Sequence, residues 1–288
     1  MATLLRRQTR GPTATLTLDR PDKRNALNAA LVGDLKDALA ETAEDDDVRT
    51  VVLTGAGSAF SAGADLASLE ALQEASPEEN LADSEHLAAL FEQIYRHPKP
   101  VIAKINGHAI GGGAGLAAVC DFSLIAEEAR VGFTEVKIGF VPAIVMVFVR
   151  RKLGETAARD LLLRGRLLSG TEAAEVGLVT RAMPEGRLDA RAEELADEVA
   201  TETSPAAVRL TKEALAQTGK ARPAVEGGRR TTGGRRRFVG ALTFVFEKTA
   251  VRGPPSAVLR KRPRSEITTT PAQRRETEAS AESSALLN

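Results

Sequence analysis

The sequence predicts an α/β fold, because short apolar strands alternate with stretches that carry helical periodicity. Residues 50–54 form one apolar run, which ends at a Gly-Ala-Gly turn. Val101–Ile105 forms a second run, and Phe122–Ala126 forms a third. Strands that are separated by helices favour crossover connections, and an α/β fold with such connections is the simplest arrangement of these elements.

The other elements follow from local patterns. Residues 14–18 alternate in polarity as a strand does, and Pro21 ends that strand. Asn25 is predicted to cap a helix whose apolar residues recur every four positions, at Leu27, Leu31, Leu35 and Leu39. Helices are also predicted from the glycines at 111–113 to Cys120, and over residues 155–164, 171–175, 189–201 and 205–216, with Ser169 and Thr171 as candidate caps and Pro205 at a first helical position.

The composition excludes several kinds of protein. The 288 residues include one cysteine, Cys120, which excludes an intrachain disulfide and a cysteine-rich zinc site. The three histidines are scattered and show no metal-ligand spacing. No apolar run approaches the roughly 18 residues of a membrane-spanning helix, and residues 1–10 lack the apolar stretch of a secretory signal. The sequence therefore predicts a cytoplasmic protein.

The chain divides by charge although its net charge is zero. Residues 219–288 hold 15 of the 39 basic residues and 6 of the 39 acidic residues, which leaves 24 and 33 for residues 1–218. We therefore predict an α/β core over residues 1–200 and a helical region over 201–250 that is atypical after about residue 217. A disordered tail is predicted over 251–288. A shifted reading frame and a basic arm for nucleic acid are two hypotheses for this segment, and the absence of interleaved aromatic residues argues against the arm.

Two loops of small residues follow predicted strands. Residues 60–66 read Phe-Ser-Ala-Gly-Ala-Asp-Leu, and residues 106–115 contain three consecutive glycines before an apolar helix. Small residues let a backbone approach a ligand, and N–H groups at a helix N-terminus stabilise an oxygen that gains negative charge. A strand-to-helix turn, close helix packing and a phosphate loop are the alternatives, but no phosphate-loop pattern is present.

Taken together, the ordered motifs resemble the enoyl-CoA hydratase/isomerase (crotonase) family. The resemblance runs from about residue 12 to residue 216, and its further motifs are residues 18–28, 51–55, 99–103, 177–179 and 211–215. It implies a crotonase-like α/β fold, a spiral of ββα units with C-terminal helices. It also implies an acyl-CoA substrate, a homotrimer or dimer of trimers, and no metal or cofactor other than the coenzyme A of the substrate.

The resemblance assigns roles to individual residues. The backbone N–H groups of Ala64 and Gly112 would hold the thioester oxygen in an oxyanion hole. Glu135 matches the second of the two glutamates that act as acid and base in many hydratases of the family. The first glutamate is absent, because Gly115 stands at its position. The residues that would contact the CoA thioester are Arg24, Ala26, Leu27, Ala62, Asp65, Leu66 and Gly111.

The single glutamate leaves two enzymatic interpretations open. One is hydration of a 2-enoyl-CoA to a 3-hydroxyacyl-CoA, and the other is Δ3-Δ2 isomerisation of an enoyl-CoA. Hydration is favoured, because the segment after Glu135 is similar to the methylglutaconyl-type hydratase branch. A third hypothesis is a non-catalytic member that binds acyl-CoA or RNA. His86 and His97 are predicted to lie at the surface, and Cys120 is predicted to be a buried structural thiol.

Overall fold

The computed structural model describes residues 4–65, 67–68 and 74–218. Its strands are β1 (Leu5–Arg10), β2 (Thr13–Leu18), β3 (Thr50–Gly55), β4 (Ala59–Ser61), β5 (Val101–Ile105), β6 (His108–Ile110), β7 (Phe122–Ala126), β8 (Arg130–Gly132), β9 (Leu167–Ser169) and β10 (Arg181–Met183). Its helices are α1 (Ala29–Glu44), α2 (Pro77–Tyr95), α3 (Gly112–Val119), α4 (Ala143–Arg164), α5 (Gly170–Glu175), α6 (Glu185–Glu202) and α7 (Pro205–Thr218).

The strands form two sheets, and from β3 to β8 the chain alternates between them. The larger sheet has the order β1-β2-β3-β5-β7-β10, and the smaller has the order β4-β6-β8-β9. In the larger sheet β1 and β2 pair antiparallel, and the other pairs are parallel. Strand β5 is followed by β6 and then α3, and β7 is followed by β8 and then α4. This repetition is the ββα order that the resemblance implies.

Burial explains why the central strands could be predicted from the sequence. All six residues of β3 are buried, because parallel neighbours flank it and both of its faces are covered. Strand β2, next to the edge strand, alternates between buried and half-buried residues. The predicted strands 14–18, 50–54, 101–105 and 122–126 are all confirmed to within one residue.

Two local predictions were wrong. Helix α1 begins at Ala29, and its cap is Asn28, whose side chain accepts a hydrogen bond from the Leu31 N–H at 3.0 Å. Asn25 instead is fully buried with a φ of +54°, and its side-chain amide donates to the carbonyls of Ala56 and Ala59. Helix α4 starts twelve residues before the predicted position 155, and a kink at Gly154, where φ is +73°, divides it into two segments.

The C-terminal predictions reach beyond the described residues. The predicted region 201–250 is described only to Thr218, where α7 ends, and the predicted tail over 251–288 lies entirely outside the described residues. Along the described parts of the chain, no helix combines the length and apolar character that crossing a bilayer requires.

His97 is a core residue, so the prediction that it lies at the surface was wrong. The residue is 2% exposed, and its Nε2 lies 3.1 Å from the Leu39 carbonyl. Its Nδ1 lies 3.1 Å from the Lys99 carbonyl and 3.2 Å from the Lys99 nitrogen, so both ring nitrogens have backbone partners. Burial lowers the pKa of His97, the nearby ammonium groups of Lys212 and Lys99 lower it further, and backbone hydrogen bonds oppose the shift.

The free energy of unfolding should therefore fall in mild acid. The pKa of His97 in the folded protein lies below its usual value of 6.5. The contribution of His97 to the free energy of unfolding is therefore complete above pH 6.5, and it is lost as the pH falls from there through the folded pKa. His97→Gln removes this titration. In urea unfolding between about pH 7.5 and about pH 5.5, the stability advantage of the wild type over the variant should shrink. Parallel pH dependences for the two proteins would contradict the assignment.

Candidate active site

The two predicted loops pack directly against each other. Gly63 has a φ of +84°, and a Cβ atom built on it would lie 2.5 Å from the Ile110 carbonyl oxygen and 3.1 Å from the Gly112 nitrogen. Any larger residue at position 63 would force the loops apart. Gly111, with a φ of +55°, turns the chain from β6 into α3. The small residues of both loops are therefore required by their close approach.

The approach places two backbone donors side by side. A Cβ atom on Gly112 would lie 4.0 Å from the Ala64 nitrogen. Neither the Ala64 N–H nor the Gly112 N–H has an acceptor within the described part of the chain. Gly112 is also the first residue of α3, so the helix dipole adds to its donor strength. Two such donors can hold one oxygen that gains negative charge, which is the arrangement of an oxyanion hole.

The segment that the resemblance assigns to CoA binding lies along the first loop. The Ala62 N–H donates to the Arg24 carbonyl at 2.9 Å, and the Leu27 N–H donates to the Gly63 carbonyl at 2.7 Å. Leu27 and Ala64 form a parallel bridge. The structure thus brings together the described candidates other than Glu135, which are Arg24, Ala26, Leu27, Ala62, Ala64, Asp65, Gly111 and Gly112. Leu66, the remaining candidate, lies outside the described residues.

Asp65, the residue after the Ala64 donor, pairs with Arg20. Its Oδ2 lies 2.8 Å from Arg20 Nη2, and the side chains of Arg20 and Asp65 are 14% and 12% exposed. Its Oδ1 accepts from the Ala67 N–H at 3.0 Å. Burial alone would raise the pKa of Asp65, but the hydrogen bonds from Arg20 and from the Ala67 N–H outweigh it and hold that pKa below its usual value.

Glu135 lies beside the second loop. A Cβ atom on Gly111 would lie 3.2 Å from Glu135 Oε1, so the carboxyl group contacts the residue that precedes the Gly112 donor. Glu135 opens a 3-10 turn over Glu135–Ile138, and its Oε2 is buried without a hydrogen-bond partner among the described residues. Burial raises the pKa of Glu135, and its own backbone N–H partly offsets the rise. A raised carboxyl pKa suits a group that exchanges protons near neutral pH.

The position of the missing glutamate is filled by apolar side chains. A Cβ atom on Gly115 would overlap Val145 Cγ1 and would lie 3.0 Å from Phe91 Cζ. Phe91 is fully buried and Val145 is 4% exposed. Helices α2 and α4 thus occupy the space that a side chain at 115 would need. The packing of Val145 and Phe91 is therefore compatible only with a residue as small as glycine at position 115. Glu135 is the acid/base candidate at the loops.

The weaker candidates have structural roles. The Cys120 thiol is buried, donates to the Leu116 carbonyl at 3.1 Å, and has its pKa raised by burial to about 12. The prediction of a structural thiol is therefore confirmed.

Sequence reasoning missed Arg20, although it lies within the motif 18–28 and forms the buried ion pair with Asp65, next to the Ala64 donor.

Comparisons with known proteins agree with this geometry. Residues 9–230 match the family described as "Enoyl-CoA hydratase/isomerase". A Thermus thermophilus protein named "Putative enoyl-CoA hydratase" is 50% identical over 206 residues, covering 72% of this chain and 81% of that protein.

Solved structures give the same result for the fold. An enoyl-CoA hydratase/isomerase from Xanthobacter autotrophicus Py2 superposes with a TM-score of 0.78 at 27% identity, covering 90% of this chain and 91% of that one. An enoyl-CoA hydratase from Bacillus anthracis superposes with a TM-score of 0.71 at 30% identity, covering 87% and 92%. The crotonase-like α/β fold is thus confirmed, and the chain belongs to the enoyl-CoA hydratase/isomerase family.

Proposed function

We propose that this protein hydrates a 2-enoyl-CoA thioester to a 3-hydroxyacyl-CoA, with Glu135 as its acid and base. One observation carries the proposal: the partly buried Glu135 carboxyl contacts Gly111, next to the paired N–H groups of Ala64 and Gly112. An acid/base group and an oxyanion hole are thereby within reach of one small substrate. The hydratase names of the Thermus and Bacillus relatives support hydration over other reactions of thioesters.

The reaction follows from these groups. The N–H groups of Ala64 and Gly112 would donate to the thioester carbonyl oxygen, which draws electrons from C3 and makes that carbon electrophilic. The Glu135 carboxylate would take a proton from water while the remaining hydroxide bonds to C3. The electron pair of the C2=C3 bond moves into the enolate. Protonated Glu135 would then deliver its proton to C2, which restores the carboxylate and the thioester.

Further properties of the protein belong to the same proposal. The substrate supplies coenzyme A, and the reaction uses the protein's own groups with no metal or redox cofactor. A homotrimer or dimer of trimers and the methylglutaconyl-type branch stay predictions from the family resemblance. A cytoplasmic location and the absence of a nucleic-acid partner stay predictions from the composition of the sequence.

The pH dependence of kcat/KM should report the ionisation of Glu135. The proposed base must be ionised, and its pKa is raised by burial above the usual 4.5. Activity should therefore fall as the pH decreases through that raised pKa, above the pH at which a glutamate of ordinary pKa protonates. Initial rates with a 2-enoyl-CoA, measured across the pH range in which the protein stays folded, check this. A flat profile down to the usual glutamate pKa would contradict the role of Glu135.

The packing at Gly115 favours a second candidate, Δ3-Δ2 enoyl-CoA isomerisation. Val145 and Phe91 occupy the place of a second carboxylate, so the chain lacks one of the two groups that hold water in many hydratases. An isomerase needs one base: Glu135 would remove a C2 proton from a 3-enoyl-CoA and return it to C4, while the double bond moves to C2=C3. The oxyanion hole would stabilise the same enolate.

One assay separates the two candidates. The purified protein is incubated with 2-butenoyl-CoA and, in parallel, with 3-butenoyl-CoA, and the products are identified by mass and chromatography. Formation of 3-hydroxybutanoyl-CoA from 2-butenoyl-CoA supports the proposed hydration. Conversion of 3-butenoyl-CoA to 2-butenoyl-CoA without a hydroxy product would replace it by isomerisation. Acyl-CoA binding without turnover of either thioester would favour the non-catalytic hypothesis.

A further inference from the structure

Arg20 joins the two backbone segments that surround the Ala64 donor. Its Nη2 lies 2.8 Å from Asp65 Oδ2, and its Nη1 donates to the Ala26 carbonyl at 2.5 Å. Ala26 belongs to the segment that the resemblance assigns to CoA binding, and Asp65 follows Ala64 directly. One guanidinium fork therefore spans the segment 24–27 and the oxyanion loop.

The fork continues a set of bonds that fixes the peptide groups around Ala64. On one side the Gly63 carbonyl accepts from the Leu27 N–H at 2.7 Å. On the other side the Asp65 N–H donates to the Leu27 carbonyl at 3.0 Å. Ala64 itself makes no hydrogen bond through its N–H to any described residue. The direction of that N–H is thus set by the hydrogen bonds of Gly63 and Asp65. Arg20 adds a further connection between the same two segments, because it contacts both Asp65 and the Ala26 carbonyl.

The Arg20–Asp65 ion pair also determines the net charge next to the Ala64 donor. Asp65 is a carboxylate one residue from a donor that stabilises negative charge in the proposed reaction. Because both side chains are mostly removed from water, solvent screens that carboxylate poorly. Arg20 neutralises it with a direct contact, and Lys23 also lowers the energy of the charged form. Without Arg20, an unpaired negative charge would lie beside the developing enolate and oppose it.

We propose that Arg20 and Asp65 are positioning residues, which orient the Ala64 donor and neutralise the charge behind the oxyanion hole. The inference rests on the proposed function, because it assigns the Ala64 N–H to the thioester oxygen. It adds a specific ranking of variants. Losing Arg20 should harm the reaction more than losing the charge of Asp65, and removing that charge should partly restore a chain that lacks Arg20.

The test uses Arg20→Met, Asp65→Asn and the double variant, with the more exposed ion pair of Arg6 and Asp19 as the control. That pair has a similar separation of 2.8 Å, but Arg6 is 62% exposed and lies on the edge strand β1. Arg6→Met and Asp19→Asn should leave kcat within about twofold of the wild type. Arg20→Met should lower kcat by about 100-fold, a loss comparable to that of one oxyanion donor.

The kcat values of the other variants test whether Arg20 and Asp65 act together. Asp65→Asn removes the charge and keeps one acceptor oxygen, which can serve the Ala67 N–H or Arg20 but not both, and its kcat should stay within about tenfold of the wild type. The double variant should be faster than Arg20→Met, and KM should change less than kcat throughout. Equal kcat values for folded wild type and Arg20→Met, or a double variant slower than Arg20→Met, would overturn the proposal. If Arg20→Met does not fold, the same ranking is tested with Arg20→Lys, which keeps the charge but not the two-armed fork.

A second measurement reads the oxyanion hole without turnover. Acetoacetyl-CoA has an acidic C2 proton, and the near-ultraviolet absorbance of its enolate gives the ionised fraction of the bound ligand at one fixed pH. That fraction should be highest in the wild type, lowest in Arg20→Met and intermediate in the double variant. An equal fraction in all proteins would overturn the role of the pair even if the wild type hydrates 2-enoyl-CoA. The expected ranking in a protein that turns over no enoyl-CoA would instead sink the proposed function and keep the role of the pair.

Discussion

Replacing Glu135 with Gln should lower hydration of a 2-enoyl-CoA by about 10²- to 10⁴-fold, the usual loss when a general acid/base is removed. The amide keeps the size of the side chain but can neither take a proton from water nor deliver one to C2. Binding of a saturated acyl-CoA should change little, because the Ala64 and Gly112 donors are backbone groups. Steady-state rates and calorimetric titration with butanoyl-CoA check the two expectations separately.

The stability of Glu135→Gln gives an internal control. The folded pKa of Glu135 lies above its usual 4.5, so the stabilising contribution of the group exists below that pH and is lost as the pH rises through the folded pKa. At neutral pH the neutral Gln should therefore unfold at an equal or higher urea concentration than the wild type. Glu128→Gln, at an exposed position in the turn after β7, is the matched substitution and should leave activity unchanged. Retention of more than about a tenth of the activity in Glu135→Gln would contradict its role.

Placing a glutamate at position 115 should destabilise the fold instead of supplying a second carboxylate. The new Cβ would overlap Val145 Cγ1 and approach Phe91, and inserting atoms into such a core costs about 1 to 3 kcal/mol before the buried charge is counted. Gly115→Glu should therefore lower the free energy of unfolding by at least that amount and should give no gain in hydration. Urea unfolding and initial rates measure both effects.

Gly33 provides the matched control for that substitution. It lies within α1, and a Cβ atom built on it meets nothing within 4 Å. Gly33→Glu should be neutral or stabilise by about 0.5 kcal/mol, because glutamate has a higher helix propensity than glycine. A folded Gly115→Glu protein with increased hydration would show that α2 and α4 can move apart, and the account of the missing glutamate would then be wrong.

The parts of the fold that could be predicted are those that depend on local sequence. The strands at 50–54, 101–105 and 122–126 are mostly apolar because both of their faces are largely covered, so each is visible as a short run. The two small-residue loops were visible because their glycines are needed wherever one backbone touches another. The candidate role of Glu135 came from the family resemblance alone, because neither its burial nor its contact with Gly111 can be read from its neighbours in sequence.

The parts that were missed depend on partners distant in sequence. Strand β1 has five exposed residues out of six, so it shows no apolar alternation, and its pairing with β2 alone defines it. His97 precedes a proline and resembles a surface residue in sequence. Its ring is nevertheless enclosed by Leu39 of α1 and by the backbone of Lys99. Arg20 and Asp65 are 45 positions apart, and neither residue type indicates which charge it will meet.

Incubation with 2-butenoyl-CoA in ¹⁸O-labelled water tests the central claim most directly. The account predicts that the wild type forms 3-hydroxybutanoyl-CoA with one ¹⁸O in the new hydroxyl group, and that Glu135→Gln forms almost none under the same conditions. A wild type that leaves 2-butenoyl-CoA unlabelled and unchanged, while converting 3-butenoyl-CoA to it, would contradict hydration and assign the site to isomerisation.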